Sequence, residues 1–358
     1  MTYFKSLGVT MRNVFFVFIF SLFFVGENMA VPDLWIVPEK KLTAASGLSD
    51  ETRLAIGEIG SSQFERRGQI FGDNLLDELI KMADQTAAET PVTEEMLETT
   101  FNVQIFQDKI NGVGVYRINP LNLNSKLDGR LFVHIHGGAY FQMGGLLSAV
   151  EGAMIASSGG ISVISVDYTL STSQPFPAAL DDIITVYKAV NETLPASRIG
   201  MGGSSAGGGL ALSSTLKLKS LDIELPGALF AGTPSVDLLF TGDSWITNEY
   251  VDNVLVTKEG LLQAAFKVYA GAFDPKNPLI SPLYGDVTDF PPTYLIAGTR
   301  DALLSDTVRM HRKLREAGVT ADLNIFEGLP HGAYLRVPGS REYDGALGDL
   351  RKFLEKYL

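Results

Sequence analysis

The five residues Gly203-Ser204-Ser205-Ala206-Gly207 join a strand-like segment to a helix-like one. The short run 198–203 before them predicts a strand, and the run 206–219, rich in Leu, Ala and Lys, predicts a helix. A serine on so sharp a turn is held in a strained backbone conformation with its hydroxyl exposed, and the flanking glycines give the turn its room. Ser205 is therefore a candidate nucleophile.

Strand and helix patterns alternate outward from this turn. Strands are predicted at 131–136, 161–167, 228–231, 293–297 and 321–326, and helices at 146–157, 177–194, 305–317 and 341–357. Two earlier strands, 103–106 and 113–116, are joined near Asn111-Gly112, which is a hairpin signal. This alternation predicts an α/β fold with a mostly parallel central sheet and helices on both faces.

Two regions depart from the alternation. Residues 31–100 are polar and helical in pattern, with helix starts at Ser49-Asp50-Glu51 and Thr93-Glu94-Glu95. Residues 236–275 interrupt the strand–helix order with polar and aromatic side chains. We therefore expect a main α/β domain over 101–358, covered by a mainly helical cap made from 31–100 and an insertion near 236–275.

The first 30 residues have the pattern of a signal peptide. Lys5 and Arg12 precede the apolar run 14–25, whose twelve residues are short for crossing a bilayer. Cleavage after Ala30 would give an exported protein, periplasmic or secreted. The alternative is a retained membrane anchor, and the protein is expected to contact a membrane only in that case.

Charge and composition exclude several classes of function. The 358 residues carry a formal net charge of −12, which argues against a nucleic-acid partner. The chain has no cysteine, so it has neither disulfides nor thiolate metal sites.

A serine nucleophile needs a base, and the chain offers four histidines. His331 follows the predicted strand 321–326, in a loop at the edge where open parallel sheets place reactive groups. Asp301 follows strand 293–297 at the same edge and is the preferred partner for this base, although Asp306 is a rival. The order Ser205, Asp301, His331 along the chain is that of an α/β-hydrolase triad.

The reaction also needs donors for a developing oxyanion. His136-Gly137-Gly138-Ala139 ends a buried strand with two glycines, whose backbone N–H groups can approach a substrate closely. We predict that the N–H groups of Gly137, Gly138 and Ala206 form the oxyanion hole.

Together these motifs resemble the hormone-sensitive-lipase-like, or bacterial family IV, esterases of the α/β-hydrolase fold. The resemblance runs over about 130–355, and it rests on the following stretches: His136-Gly137-Gly138-Ala139, Asp167-Tyr168, Pro175–Asp182, Gly203–Gly208, Ser281-Pro282-Leu283, Pro291-Pro292-Thr293, Arg300-Asp301 and Pro330-His331-Gly332. It departs from the family at Ala139, often Gly, at Ser204, commonly Asp, at Thr169, commonly Arg, and at Gly209, commonly Asn.

The resemblance implies an N-terminal helical cap, ester hydrolysis by Ser205, Asp301 and His331, no metal or other cofactor, and homodimers. The expected function is a serine carboxylesterase acting on small esters with short to medium acyl chains. The alternatives are a lactone or amide hydrolase with the same triad, and a non-catalytic binding protein on the same fold.

Overall fold

The computed structural model describes residues 41–59 and 74–358. The predicted signal peptide, residues 1–30, lies outside the described residues. Among the described helices, none combines the length and apolar character needed to cross a membrane.

A single eight-stranded sheet organises the described chain. In chain order its strands are β1 Val103–Ile110, β2 Val113–Pro120, β3 Leu131–Ile135, β4 Ser162–Asp167, β5 Ile199–Ser204, β6 Ala228–Gly232, β7 Thr293–Gly298 and β8 Ala321–Phe326. Their spatial order is β1-β2-β4-β3-β5-β6-β7-β8. The β1–β2 and β2–β4 pairs are antiparallel, and the other five pairs are parallel. The predicted mostly parallel sheet is confirmed.

Helices precede and connect these strands. They are α1 Asp50–Gly57, α2 Leu75–Glu89, α3 Glu94–Phe101, α4 Ala149–Gly159, α5 Ala178–Asn191, α6 Ala206–Ser220, α7 Ser244–Thr247, α8 Leu261–Ala270, α9 Leu304–Glu316 and α10 Arg341–Tyr357. The side chains of Ser49 and Thr93 accept backbone hydrogen bonds at the starts of α1 and α3, as the sequence pattern predicted. The predicted helix 146–157 begins instead with a 3₁₀ turn, Gly145–Ser148, before α4.

The hairpin between β1 and β2 follows the turn chemistry. Asn111 and Gly112 both have positive φ, 49° and 91°. Asn and Gly tolerate this conformation, and two such residues in succession give the turn whose twist matches paired strands. The hairpin brings β1 and β2 to one edge of the sheet.

Apolar residues cover the sheet on both faces, because alternate strand residues point to opposite sides. On one face Val133 and Ile135 pack with residues of α5, α6 and α9. On the other face Phe132 packs with residues of α4 and α10. Because the strands β3 to β8 run parallel, they direct their carboxyl ends to one common edge, from which the loops of the site emerge.

The segments predicted to form a cap contain helices in the structure. The 236–275 segment holds α7 and α8, and α8 contacts α2 from the N-terminal region. Leu79 of α2 is fully buried in the same apolar cluster as Leu261 of α8. Assigning these helices to a cap remains a prediction.

Candidate active site

The turn between β5 and α6 holds Ser205 in an unusual backbone conformation. Its φ is 61° and its ψ is −123°, a backbone conformation that residues other than glycine rarely adopt. Gly203 and Gly207 pass so close to the Ile135 carbonyl oxygen that a Cβ on either would overlap it. These contacts explain why glycines flank the serine. They also seat Ser205 against β3, at the start of α6.

His331 lies between the serine and an aspartate. Its Nε2 is 3.0 Å from the Ser205 Oγ, and its Nδ1 is 3.1 Å from the Asp301 Oδ1. The three residues follow the carboxyl ends of β5, β7 and β8. These strands are parallel, so their carboxyl ends lie at the same edge of the sheet. The structure thus brings together all three side chains that the sequence singled out for a triad.

Thr233 determines how the imidazole is oriented. Its hydroxyl donates to the Asp301 Oδ2, and its oxygen lies 3.1 Å from the His331 Nδ1. Since the single hydroxyl proton is directed to Asp301, the Thr233 oxygen can only accept from an Nδ1–H group. The proton of a neutral His331 is therefore assigned to Nδ1, which leaves the Nε2 lone pair facing Ser205. Sequence analysis missed Thr233, although it follows β6 at the same sheet edge as the triad residues.

Asp301 and its rival Asp306 have different partners. Asp301 is fully buried and also accepts the Leu303 N–H at 2.8 Å. Asp306 lies in the first turn of α9, where its Oδ2 accepts the N–H groups of Val236 and Asp237 at 3.1 and 3.2 Å. Burial, and next the charge of Asp237, raise the pKa of Asp306 to about 8. Asp306 therefore fastens the start of the 236–275 segment, whereas Asp301 contacts the histidine.

In the glycine loop that follows β3, side-chain donors hold the carbonyl groups of His136 and Gly137 in place. The Tyr168 hydroxyl donates to the His136 carbonyl at 3.1 Å, and the His136 Nδ1–H donates to the Gly137 carbonyl at 2.7 Å. In a trans peptide the N–H group points opposite to the carbonyl, so the N–H groups of Gly137 and Gly138 point away from these partners. Gly138, with φ of 100°, is held where a Cβ would overlap the Gln142 carbonyl.

His136 itself is buried against the ring of Tyr168, with the two rings stacked 4.0 Å apart. Burial lowers the pKa of His136 to about 3, so the imidazole is neutral. A neutral side chain whose Nδ1–H donates to the Gly137 carbonyl stabilises the loop structure.

Asp252, in the 236–275 segment, has no signal in the sequence but ties three loops together. Its Oδ1 accepts the N–H groups of Val254 and Leu255 at 2.9 and 3.2 Å, and that of His331 at 3.4 Å. Its Oδ2 accepts the N–H of Ala302 at 2.9 Å. No predicted strand ends near Asp252, so the rule that located the triad residues could not find it.

Asp252, Asp301 and His331 place their ligand atoms within 4.8 Å of one another. Two carboxylates and an imidazole are a possible metal-ligand set, but the oxygens of both aspartates are directed at N–H and O–H donors. We therefore assign no metal to them. Burial, and next the Asp301 charge, raise the pKa of Asp252 to about 6.

A cavity of about 320 Å³ opens beside Ser205 and His331. Its walls include Gly137, Gly138 and Ala206, so all three residues predicted for the oxyanion hole face the same space as the triad. The apolar side chains that line it are Met143, Val150, Met154, Trp245, Val254, Leu255, Leu262, Phe266, Leu303 and Leu335.

Three aromatic residues of the 236–275 segment, Trp245, Tyr250 and Phe273, differ in their relation to the cavity. Trp245 is 1% exposed and forms part of its wall. Tyr250 and Phe273 are 60% and 49% exposed, and neither lines the cavity.

Known proteins resemble the chain in both sequence and structure. The family model described as alpha/beta hydrolase fold matches residues 132–335. An esterase from Acinetobacter venetianus is 33% identical over 228 residues, which make up 63% of this chain and 74% of that protein. An acetyl-hydrolase from Streptomyces hygroscopicus is 29% identical over 208 residues, covering 58% of this chain and 69% of its own.

Solved structures of esterases are also similar to this chain. The crystal structure of one esterase is 37% identical and superposes with a TM-score of 0.82, covering 91% of this chain and 100% of its own. An esterase from the bacterial hormone-sensitive lipase family is 29% identical, with a TM-score of 0.67 and coverage of 80% and 99%. This chain belongs to the hormone-sensitive-lipase-like esterases of the α/β-hydrolase fold and is a carboxylic ester hydrolase.

Proposed function

We propose that this protein is a serine carboxylesterase that hydrolyses esters with short to medium acyl chains through an acyl-enzyme. The observation that carries the proposal is the placement of His331 between the Ser205 hydroxyl at 3.0 Å and the Asp301 carboxylate at 3.1 Å, at the wall of a cavity.

In the first step the Ser205 Oγ attacks the ester carbonyl carbon while the His331 Nε2 takes the hydroxyl proton. Asp301 holds the Nδ1–H tautomer and stabilises the imidazolium. The carbonyl oxygen becomes an oxyanion, which accepts hydrogen bonds from the N–H groups of Gly137, Gly138 and Ala206. The positive end of α6 lies at the same point and favours this charge.

The tetrahedral intermediate collapses when the bond to the alcohol oxygen breaks. The His331 Nε2–H gives its proton to that oxygen, and the alcohol leaves an acyl group on Ser205. In the second step, water gives a proton to His331 and attacks the acyl carbon, and collapse returns the proton to the Ser205 oxygen. The products are one carboxylic acid and one alcohol.

The cavity supports a limit on substrate size. Its volume of about 320 Å³ is near the lower end of ligand pockets, and its walls are mostly apolar. Trp245, Leu255 and Leu303 are buried together in one small apolar cluster on one side of the cavity. A bulky cluster at this position accommodates a short acyl chain and hinders a long one.

Two measurements test the proposal. The first is kcat/KM over p-nitrophenyl esters from acetate to dodecanoate, where we expect a maximum among the shorter chains. The second is labelling by a fluorophosphonate probe, which reacts with an activated serine and is expected to label the wild type but not Ser205→Ala. We expect Ser205→Ala to lower kcat by ~10⁴–10⁶-fold, because only the oxyanion donors and substrate binding remain.

The outcomes separate the parts of the proposal. Equal turnover by wild type and Ser205→Ala would contradict the role of Ser205. Labelling of Ser205 together with hydrolysis of lactones but not of open-chain esters would preserve the nucleophile and overturn the substrate class.

A further inference from the structure

A second group of polar side chains lies beside the nucleophile, on the side formed by α4. Glu151 of α4 is its centre, with a side chain only 11% exposed, and it lines the same cavity as Ser205. Its Oε1 accepts the Ser204 hydroxyl at 2.5 Å, and its Oε2 lies 3.2 Å from the Nε2 of His134. None of these groups takes part in the proposed catalytic steps.

The number of hydroxyl protons determines which group donates in each hydrogen bond around Ser204. Ser204 has one hydroxyl proton, and it is donated to Glu151. The Tyr334 hydroxyl, 2.8 Å from the Ser204 Oγ, must then donate to it. A directed chain therefore runs from Tyr334 through Ser204 to the carboxylate. Both Tyr334 and Ser204 are buried.

The ends of this chain are next to the triad. Ser204 directly precedes Ser205, and Tyr334 belongs to the 3₁₀ turn Ala333–Leu335, which follows His331. The Ser204 N–H also donates to the Glu151 Oε2, at 3.3 Å. One carboxylate thus connects the turn that carries the nucleophile with the loop that carries the base.

The same count places one proton between Glu151 and His134. The Ser165 hydroxyl donates to the Ser148 carbonyl at 2.7 Å, so its oxygen must accept from the His134 Nδ1–H, which is 2.8 Å away. If His134 were neutral and Glu151 ionised, the His134 Nε2 would be an acceptor facing the carboxylate, and two acceptors do not form a hydrogen bond. A proton must lie between them, on either group, and in both arrangements the pair has no net charge.

We propose that Glu151 is a positioning residue, which holds the Ser205 turn and the His331 loop in register, and that the proton it shares with His134 cancels its charge. Cancellation matters because an uncompensated carboxylate at this wall of the cavity would oppose the negative charge that develops on the substrate oxygen. This inference rests on the proposed function, since it concerns the geometry of the same serine and histidine.

The test compares two substitutions at one position. Glu151→Ala removes every bond, and we expect kcat for p-nitrophenyl butyrate to fall about 100-fold with KM little changed, because the nucleophile and base lose their relative placement. Glu151→Gln keeps an oxygen for Ser204, and its amide N–H₂ can donate to a neutral His134. Only the longer hydrogen bond from the Ser204 N–H is lost, so we expect kcat to fall about threefold.

Glu342→Ala is the matched control. Glu342 is another nearly buried glutamate, 4% exposed in its side chain, and it accepts hydrogen bonds from Ser49 and Thr52, at the start of α1. Its truncation is expected to lower the melting temperature and to leave kcat unchanged. A purely structural role for Glu151 would give the same pattern.

Several results would overturn the inference. One is a folded Glu151→Ala variant with wild-type kcat, and another is a Glu151→Gln variant as slow as Glu151→Ala, which would show that charge rather than hydrogen bonding matters. If Glu151→Ala does not fold, Ser204→Ala replaces it, with an expected fall in kcat of about tenfold, and an unchanged kcat would again overturn the inference. An inactive wild type that no fluorophosphonate labels would instead contradict the proposed function.

Discussion

The two walls of the cavity are built in different ways. One wall consists of strand ends and the turns that follow them, and it carries Gly137, Gly138, Ser205 and His331. The second wall comes largely from the 236–275 segment and carries apolar side chains such as Trp245 and Leu262. Hydrogen-bonding groups and closely packed backbone dominate the first wall, whereas packed apolar side chains dominate the second.

This difference predicts how each wall responds to substitution. A change of one atom in the first wall alters hydrogen-bond geometry, on which the reaction rate depends steeply. A change in the second wall alters volume and apolar area, which shift substrate preference more gradually. The four predictions below test the contrast.

The largest expected effect concerns the two aspartates near the start of α9. Asp301→Asn keeps the shape of the side chain but no longer favours the His331 tautomer with Nδ1–H, so kcat should fall ~10⁴-fold. Asp306→Asn is the matched control, and its kcat should remain at the wild-type value because, within the described part of the chain, Asp306 accepts its hydrogen bonds from the backbone of the 236–275 segment. The measurement is ester turnover under substrate saturation. If Asp306→Asn were the slow variant, the assignment of the triad acid would be wrong.

A smaller effect is expected at the glycines of the turn that carries Ser205. A Cβ at position 207 would overlap the Ile135 carbonyl oxygen, so Gly207→Ala must shift the backbone of β3 or α6. We expect a loss of about 3 kcal/mol in the free energy of unfolding, measured by urea denaturation. Gly348→Ala in α10 is the control, because a Cβ there meets no atom within 4 Å. Equal stability of both variants would show that the turn has more room than the structure indicates.

The third prediction concerns the apolar wall. Trp245→Ala enlarges the cavity, so the ratio of kcat/KM for octanoate to that for butyrate should rise about tenfold. Using a ratio within one preparation removes any effect of lower stability. Ile246→Ala is the neighbouring control, since Ile246 is 69% exposed, and its ratio should equal that of the wild type. An unchanged ratio in Trp245→Ala would mean that acyl chains bind elsewhere in the cavity.

The smallest expected effect is on the pH dependence of stability. The pKa of Asp306 is raised to about 8 in the folded protein, mainly by burial, against about 4 when unfolded. The folded state therefore binds more protons between these values, and its stability falls as pH rises through this window. Asp306→Asn removes this contribution. The difference in the free energy of unfolding between Asp306→Asn and wild type should therefore shift by ~1 kcal/mol in favour of the variant from pH 6 to pH 7. Urea denaturation of both proteins at the two pH values measures this shift. If the stability of the variant and of the wild type changed equally with pH, the raised pKa of Asp306 would be contradicted.

The same contrast explains what could be predicted from sequence. The fold and the residues brought together at the sheet edge follow from local signals, namely the alternation of strands and helices and the polar residues directly after strands. Asp301 and His331 could be located in this way, because parallel strands direct their carboxyl ends to one edge.

Residues whose role depends on contacts between distant segments could not be found. Asp252 lies in an irregular segment, and its partners Ala302 and His331 are 50 and 79 positions away in the sequence. Glu151 looks like an ordinary polar residue of a helix, and only the packing of α4 against β2, β4 and neighbouring elements brings it to Ser204. The exposure of Tyr250 and Phe273, in contrast to buried Trp245, likewise depends on how the 236–275 segment packs.

The contacts of Asp252 have a consequence for engineering. Its carboxylate binds the N–H groups of Val254 and Leu255, while the side chains of both residues face the cavity. Side-chain replacement at these two positions thus offers a way to reshape the binding space without disturbing the backbone. Insertions or deletions there would instead shift the loops that carry Asp301 and His331, so libraries for altered selectivity should vary residue identity and keep loop length constant.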